Sequence, residues 1–600
     1  MSNSCRVYVA MRRIIFISFC LIAYYVCAQT NSIDDILSDI YGQLAEEMEL
    51  PFEDLQEEFT EIAVHPINLN QATVEDLQRL RFLNDEQIDA ILLYQYRHPF
   101  QSIYELQLIP ELRDYDIRNM LPFVKVEEVN SKNPMYLREV FHYAKHELSL
   151  RLDARNCESF TTDPIYGKLR YRFNFRNRVQ AGVTIGRPTG VPWRQMQYGA
   201  YVQLCDIGHI KSLAAGDYQA YFGQGLVVGT PFHLGKTTFL SSSVNGAEGV
   251  RKFSSVGDNY NAFHGVGTTM RIQWADISAF YSIDRQKDST FHHLLGANFT
   301  AHWRQLKVGI TAIENLYAST SELAPQVVMG VNVRYNFHLV DIWGEVAVSQ
   351  GRKWGAASIV GMRFTPLSNV NIMAVYRYYS SYYDNKYAYS FSEKSRLNDE
   401  NGFYLGADIR RLRHWRFAVY ADGFRDGYDG LLQADFTPKS EYGMTWRYRM
   451  RRQQQRDTYS LRYRFNYTLS QWCFHTQADA NLVQGGTAAK PTYGISLLQD
   501  VEYRFTRAPI VLQIRLQGFD ARSWNNRIYA YENDVLYAFS FPNAYGIGGR
   551  CYLNARYRVN DYLSVYLRVS ETVYQRTWSL EHYRAQTRTD VHLLLRATFP

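Results

Sequence analysis

The sequence predicts a large antiparallel transmembrane β-barrel, with about 24 strands (roughly 22–26) closing in an even number, behind a small all-α domain. Three observations predict it. Aromatic side chains make up 15% of the 600 residues, and Tyr (47) outnumbers Phe (33) and Trp (10). Rings with one polar edge suit a membrane–water interface. Mean hydropathy is −0.33, and past the signal-like N-terminus no run is long and apolar enough for a spanning helix. From about His146 onward, segments of roughly ten residues alternate in polarity, as strands between lipid and lumen must.

Arg6, Arg12 and Arg13 precede an apolar run from Ile14 to Val26, and small residues lead to a cut between Ala28 and Gln29. Residues 1–28 are therefore expected to be a secretory signal peptide. Tyr25 and Val26 are too bulky for lipid attachment at Cys27. Cys5, Cys20 and Cys27 leave with the signal. Cys157, Cys205, Cys473 and Cys551 remain, too sparse for a disulfide framework, which leaves one bridge or none.

Charge divides the mature chain in two. Of 65 basic and 59 acidic side chains, nine and 22 lie before residue 131. The rest of the chain then carries 56 and 37, a net +19, whereas residues 29–66 hold eleven acids and no Lys or Arg. An acidic leader and a basic body are separate physical objects. Residues 29–64 read as an amphipathic helical leader, with Ile33, Ile36, Leu37, Ile40 and Leu44 on one face and a break at Pro51. Docking of this leader on the basic body from below is one expectation; holding a partner through its apolar face is the other.

Residues 65–126 carry an internal repeat. Thr73 maps to Ser102, Asp76 to Glu105, Leu77 to Leu106, Leu80 to Ile109, and Leu83 to Leu112, at a constant offset. Thr73-x-x-Asp76 and Ser102-x-x-Glu105 are capping boxes, each opening a helix with inward leucines. Asn84 and Asp114 are placed to cap the second helix of each unit, and Pro122 ends the last. Two helix–turn–helix units should pack face to face here, followed by a linker over 127–144.

With Ile67-Asn68-Leu69-Asn70-Gln71-Ala72 and Pro99-Phe100 to Leu106, this segment resembles the tandem helix-hairpin-helix domain of competence DNA receptors. Together with Tyr104-Glu105-Leu106-Gln107-Leu108 and Leu121-Pro122-Phe123-Val124, the chain resembles a Bacteroidota family of outer-membrane β-barrel proteins with such a domain at the N-terminus. The resemblance implies a periplasmic domain ahead of a large barrel. DNA-binding hairpins use a Gly-rich turn so that backbone N–H groups can approach phosphate. The turns here read Arg81-Phe82-Leu83-Asn84 and Pro110-Glu111-Leu112-Arg113, with no glycine from Ile67 to Val124. Phosphate binding also needs Lys and Arg, whereas residues 29–130 are net acidic. DNA is not the expected partner; a periplasmic or outer-membrane protein, bound through residues 29–126, is.

Residues 145–600 form the barrel. Lys168, Arg170, Arg172, Asn174, Arg176 and Arg178 share one face, and Leu169, Tyr171, Phe173 and Phe175 the other. Arg447, Arg449 and Arg451 likewise oppose Trp446, Tyr448 and Met450. Arg462 and Arg464 oppose Leu461, Tyr463 and Phe465, and Arg515 opposes Ile514 and Leu516. A charge on the lipid face costs about 2–4 kcal/mol at mid-bilayer, so these cations should line the lumen and make it favour anions. The terminal strand, Val591 to Phe599, resembles the signal read by outer-membrane assembly machinery, though Pro600 displaces Phe599 from the end. Short turns, such as those at Asn177, Trp274, Arg507-Ala508-Pro509 and Asn560-Asp561, alternate with long connections. The long ones (219–262, 381–400, 484–491 and 522–543) are expected outside the cell. An even strand count requires Leu431–Phe436 to be a strand.

No catalytic constellation, cofactor motif or metal site is expected. Gly235-Lys236-Thr237 lacks a P-loop's first glycine at the right spacing, His146-Glu147 lacks a second His, and His292-His293 stands alone. Gly216, Gly223 and Gly225 cluster around a strand end, where glycine marks a bend or a close backbone approach. Either the strand curves there, or the loop that follows folds inward and constricts the lumen. Three functions are compatible: a transport or passage channel with a helical contact module, a non-conducting assembly or scaffold component, and a DNA-uptake channel.

Overall fold

The computed structural model describes most residues from Phe59 to Phe599. Residues 1–58, 128–139, 157–164, most of 231–247, 255–261, 286–290, 318–325, 487–489 and scattered other positions lie outside the described residues. The signal cleavage site at Ala28 and Gln29, the acidic leader's apolar face, Cys157 and Arg176 fall among these.

Twenty-four strands form one closed antiparallel barrel. It opens with Lys145–Asn156 and ends with Thr587–Phe599, and these two pair to seal the ring (Leu593 opposite Leu152). Each wall strand otherwise pairs with its neighbours in sequence. The short segment Gly249–Lys252 is additional: it pairs with the end of Ile210–Tyr221, which behind it pairs directly with Phe263–Ile272. The strand expected at Leu431–Phe436 runs over Gly427–Lys439, so the parity condition holds. Closure leaves the wall without a free sheet edge, the condition for crossing hydrocarbon.

The alternation has the physical cause expected of it. On Gln326–Phe337, Met329, Val331, Val333, Tyr335 and Phe337 are exposed outward, while Val328 and Asn332 are buried inward. At the short-turn end, rings pack side by side around the outer surface. Trp415 lies 4.6 Å from Phe436 and 5.8 Å from Trp446, and Trp472 lies 4.4 Å from Tyr503. Such a girdle fixes a barrel at the interfacial depth. The molecule is a transmembrane β-barrel.

The helical domain packs as its repeat dictates. Leu77, Leu80, Leu83, Leu106, Ile109 and Leu112 are all buried in one core. Thr73 and Asp76 exchange hydrogen bonds (Thr73 N donates to Asp76 Oδ2 and Asp76 N to Thr73 Oγ1, both 3.2 Å). Ser102 and Glu105 complete the second capping box. The segment this box opens, Ile103–Leu108, is a 3-10 helix; Asp85–Arg97 and Asp114–Met120 are α-helices. The offset reappears as a contact, Gln87 Nε2 donating to Asp116 Oδ2 (2.9 Å); Asn70 also pairs with the Phe100 backbone in both directions. Ile67–Asn68 and Val124–Lys125 pair in parallel and close the unit.

No disulfide joins Cys205, Cys473 or Cys551.

Candidate functional site

The site is the lumen, and it is filled by the chain's own connections. This corrects the expectation that three of the four long connections lie outside. They leave from the rim opposite the termini, but their buried residues turn back into the barrel. Only the connection around 484–491 stays at the rim among the described residues, with Lys490 exposed.

The first inward segment follows the clustered glycines. Gly216 has φ +92°, and a Cβ there would lie 2.1 Å from the Ala200 carbonyl oxygen. Only glycine permits both the conformation and the approach. Gly223 (φ 60°) and Gly225 (φ 79°) turn the chain again. Phe222, Leu226, Val227 and Val228 are buried as a result. Their backbone groups find partners on the wall and on a second connection. The Glu345 carboxylate accepts from Gln224 N (2.5 Å) and Leu226 N (3.3 Å). Tyr383 Oη donates to the Leu226 carbonyl (2.6 Å), and Asn385 Nδ2 donates to the Leu226 and Val227 carbonyls. Gly229 N donates to Tyr387 O and Tyr389 N to Gly225 O, both 2.9 Å. The two connections thus interlock over an apolar wall that includes Ile313, Val328, Trp343 and Ile359. Lys236, part of the rejected P-loop resemblance, is buried between Glu393 and Asp422, 2.6 Å from the latter.

The second closure is the connection 522–545. Ile528–Tyr529 and Asn543–Ala544 pair with each other, and the segment between them descends the lumen. Glu532 and Asp534 are buried against Arg550, Arg568 and His592 of the wall. Burial pushes both carboxyls up, but the adjacent guanidiniums, Arg568 foremost, outweigh it and hold them below the usual carboxylate range. Tyr537 Oη donates to Glu147 (3.0 Å), the third residue of the first barrel strand, so the connection reaches almost to the short-turn rim. Two acids explain the difference from the expectation: in this connection they meet cations from strands that the sequence sets apart.

The arginines proposed from sequence divide around these closures. Arg170, Arg172, Arg462 and Arg515 meet the connection 522–545. Arg170 and Arg172 lie over the Tyr537 ring (5.4 and 4.6 Å). Arg462 Nη2 donates to Tyr529 O (2.9 Å) and Arg515 Nη1 to Tyr531 O (2.6 Å). Arg447, Arg449 and Arg464 are buried in the next sector, and Arg451 reaches Glu393 of the other closure. Lys168 is buried beside Arg170 on the same inward face. Carboxylates oppose several of them: Asp429 at Arg449, Asp479 at Arg462, Asp500 at Arg515 and Glu147 at Arg172. An open lumen would therefore favour anions less than its arginines alone suggest.

The sequence reading missed Arg550, Arg568 and His592, although Arg550 and Arg568 alternate with outward residues as the chosen arginines do. It also missed Glu345, which faces inward between outward Ile342, Val346 and Val348, and Glu532 and Asp534, for which neither period nor motif gives a signal.

The helical domain joins this site. Tyr531 of the descending connection belongs to the same buried cluster as the domain's core residues Phe59, Leu69 and Phe123, and Phe541 packs against that cluster. Tyr531 is also the residue whose carbonyl Arg515 holds, in mid-strand of Ile510–Ala521, so the domain meets the connection at the depth of the barrel wall. Among the described residues of the domain none has a left-handed φ; Arg81, Asn84 and Arg113 of the two turns lie outside the described residues. A fragment spanning 59–126 is expected not to shift duplex DNA at physiological salt; salt-dependent micromolar binding would contradict this reading of the turns.

No family model and no curated protein matches the sequence. Among solved structures, the chain is similar to Pseudomonas aeruginosa OccK3 (OpdO), at 10% identity over 54% of this chain and 94% of that one, with a TM-score of 0.28. It is similar to the P pilus usher (PapC) translocation pore at 7% identity over 76% and 99%, TM-score 0.35. It is also similar to the Pseudomonas aeruginosa siderophore receptor PirA at 7% identity over 76% and 80%, TM-score 0.40. Likeness at this level carries no argument about what the chain does.

Proposed function

We propose that this protein is an outer-membrane passage held shut at rest by its own inward connections, with the helical domain packed on one of them. The observation that carries the reading is how the lumen is closed. Wall positions facing the connection 522–545 are charged and hydrogen-bonding (Glu147, Arg172, Arg515, Arg550, Arg568), and what fills the space between them is a connection tethered at both ends. A segment of this kind can be withdrawn without breaking a wall strand. A large barrel without its inserted segments encloses an aqueous channel. Planar-bilayer recording tests this: intact protein should carry little steady current, with openings promoted by agents that loosen the connections.

The second reading, a non-conducting scaffold, is favoured by the apolar cluster that locks the two connections of the other sector against the wall. Persistent silence after the connection 522–545 is removed would favour it. A DNA-uptake role has less support, because the turns of the helical domain contain no glycine and residues 29–130 are net acidic.

The mature protein is expected to fractionate with the outer membrane and to show heat-modifiable gel mobility. Recovery as a soluble periplasmic protein would end both readings.

A further inference from the structure

The pair Glu532 and Asp534 occupies a socket that the wall builds for it. Arg550 clamps Glu532 through two bonds (Nε to Oε1, 2.7 Å, and Nη2 to Oε2, 3.0 Å). Arg568 donates Nη1 to Asp534 Oδ2 (2.8 Å) and Nη2 to Glu532. His592 Nδ1 lies 2.7 Å from Asp534 Oδ1. Both carboxylates and both guanidiniums are nearly inaccessible to water, at 0%, 1%, 8% and 1% of side-chain area. Ser570 and Thr572 accept further bonds from Arg550, and the Tyr552 ring lies 5.1 Å from Arg568. Arg550, Arg568, His592, Ser570 and Thr572 all belong to the rigid wall. Glu532 and Asp534 belong to the connection.

The energetics of the pair follow. A buried ion that loses its partner is left with a desolvation penalty that nothing offsets. When the connection withdraws, Arg550 and Arg568 lose both carboxylates, and Asp590, 3.9 Å from Arg550, is the wall acid nearest to taking their place. Withdrawal is therefore costly in water alone, and less costly when another anion enters.

We propose that the wall socket centred on Arg550 and Arg568 is a binding site for a multivalent anion, self-occupied at rest by Glu532 and Asp534 as a built-in competitor. Residues two apart in an extended segment point the same way and stand about 7 Å apart. The matching ligand carries at least two acidic groups at such a spacing, as in an acidic peptide or an oligophosphate. Its entry would displace the connection and with it the hold on the helical domain through Tyr531; that consequence rests on the closed-passage reading, whereas the binding itself does not.

The test uses the full-length protein in detergent and fluorescein-labelled pentaglutamate, read by anisotropy. The variant Glu532→Gln with Asp534→Asn keeps the shape of the competitor and removes its charge. It should bind pentaglutamate about tenfold or more tighter than the unaltered protein, and further replacement of Arg550→Gln and Arg568→Gln should abolish the gain. Labelled pentaglutamine should not bind. Unlabelled tripolyphosphate that displaces the probe marks the socket as general for oligoanions; failure to displace it restricts the ligand to carboxylates. Equal affinity with and without Glu532 and Asp534, or a gain that survives loss of both arginines, overturns the proposal. Should the double variant lose heat-modifiable mobility, Asp534→Asn alone serves, with a smaller gain expected and the same arginine control. Because binding is read without current, a socket that binds in a barrel that never conducts overturns the passage alone. Conductance without binding overturns the socket alone.

Discussion

Replacing Arg522–Tyr545 with a short Gly-Ser turn is expected to raise steady conductance on the order of tenfold or more, by removing one of the two closures of a large barrel. The excision is geometrically mild. Ala521 and Gly546 face each other as the last register pair of their hairpin, so a tight turn can join them without disturbing either strand. What leaves is the segment that runs from the outer rim to Glu147 near the opposite rim. The helical domain loses Tyr531 from its core in the same step, so faster proteolysis of residues 59–126 should accompany the current. Unchanged current with an intact barrel would show that the other closure suffices to block the lumen. Acidification is a poorer way to open it. Both Glu532 and Asp534 have folded pKa values below their unfolded ones, so their contribution is complete above about pH 4. It is lost only as pH falls through the folded values, and a shift from neutral to mildly acidic conditions should leave the connection seated.

Much of the wall was legible because one face of a strand is cationic and the other apolar. Lys168 to Phe175 displays this pattern, and a charge facing lipid is too costly for the opposite assignment. Elsewhere the signal weakens for a physical reason. In Val346-Ala347-Val348 and Ser358-Ile359-Val360, inward Ala347 and Ile359 are as apolar as their outward neighbours, because they pack on Phe222, Leu226 and Val227 rather than on water. Alternation in polarity reports a wet lumen, and this sector is dry. The inward connections were illegible for a related reason. A loop's destination is set by partners far along the chain, as with Glu532 and Arg568 or Tyr383 and Leu226, and neither period nor local composition encodes such pairings. The glycines were the exception. Gly216 flagged a bend because its backbone demand is local, even though the bend's direction was open. In the helical domain the repeat exposed the core positions, but the shared use of Tyr531 could not be read from residues 65–126 alone.

The pair Arg515 and Asp500 offers the sharpest test of whether the lumen is as dry as its side chains indicate. Two bonds of 2.5 Å join Arg515 Nε and Nη2 to the two Asp500 oxygens, and both side chains are buried. If the surrounding space were open water, losing Arg515 would cost no more than a surface pair, about 0–1 kcal/mol. Closed over by Tyr531 and its neighbours, Asp500 would instead keep a charge with no counterion, at about 3–5 kcal/mol. Arg515→Met is therefore expected to lower the urea midpoint of unfolding in micelles markedly. Adding Asp500→Leu should recover most of the loss, to within about 1 kcal/mol of the starting protein, because apolar replacement of both partners removes the stranded charge. The excised barrel lacking Arg522–Tyr545 supplies the control, since there water reaches the pair and Arg515→Met should cost far less. Equal losses with and without the connection would mean that it does not shield the wall. Recovery that fails in the double variant would place the cost in the lost bond from Arg515 to the Tyr531 carbonyl rather than in a stranded carboxylate.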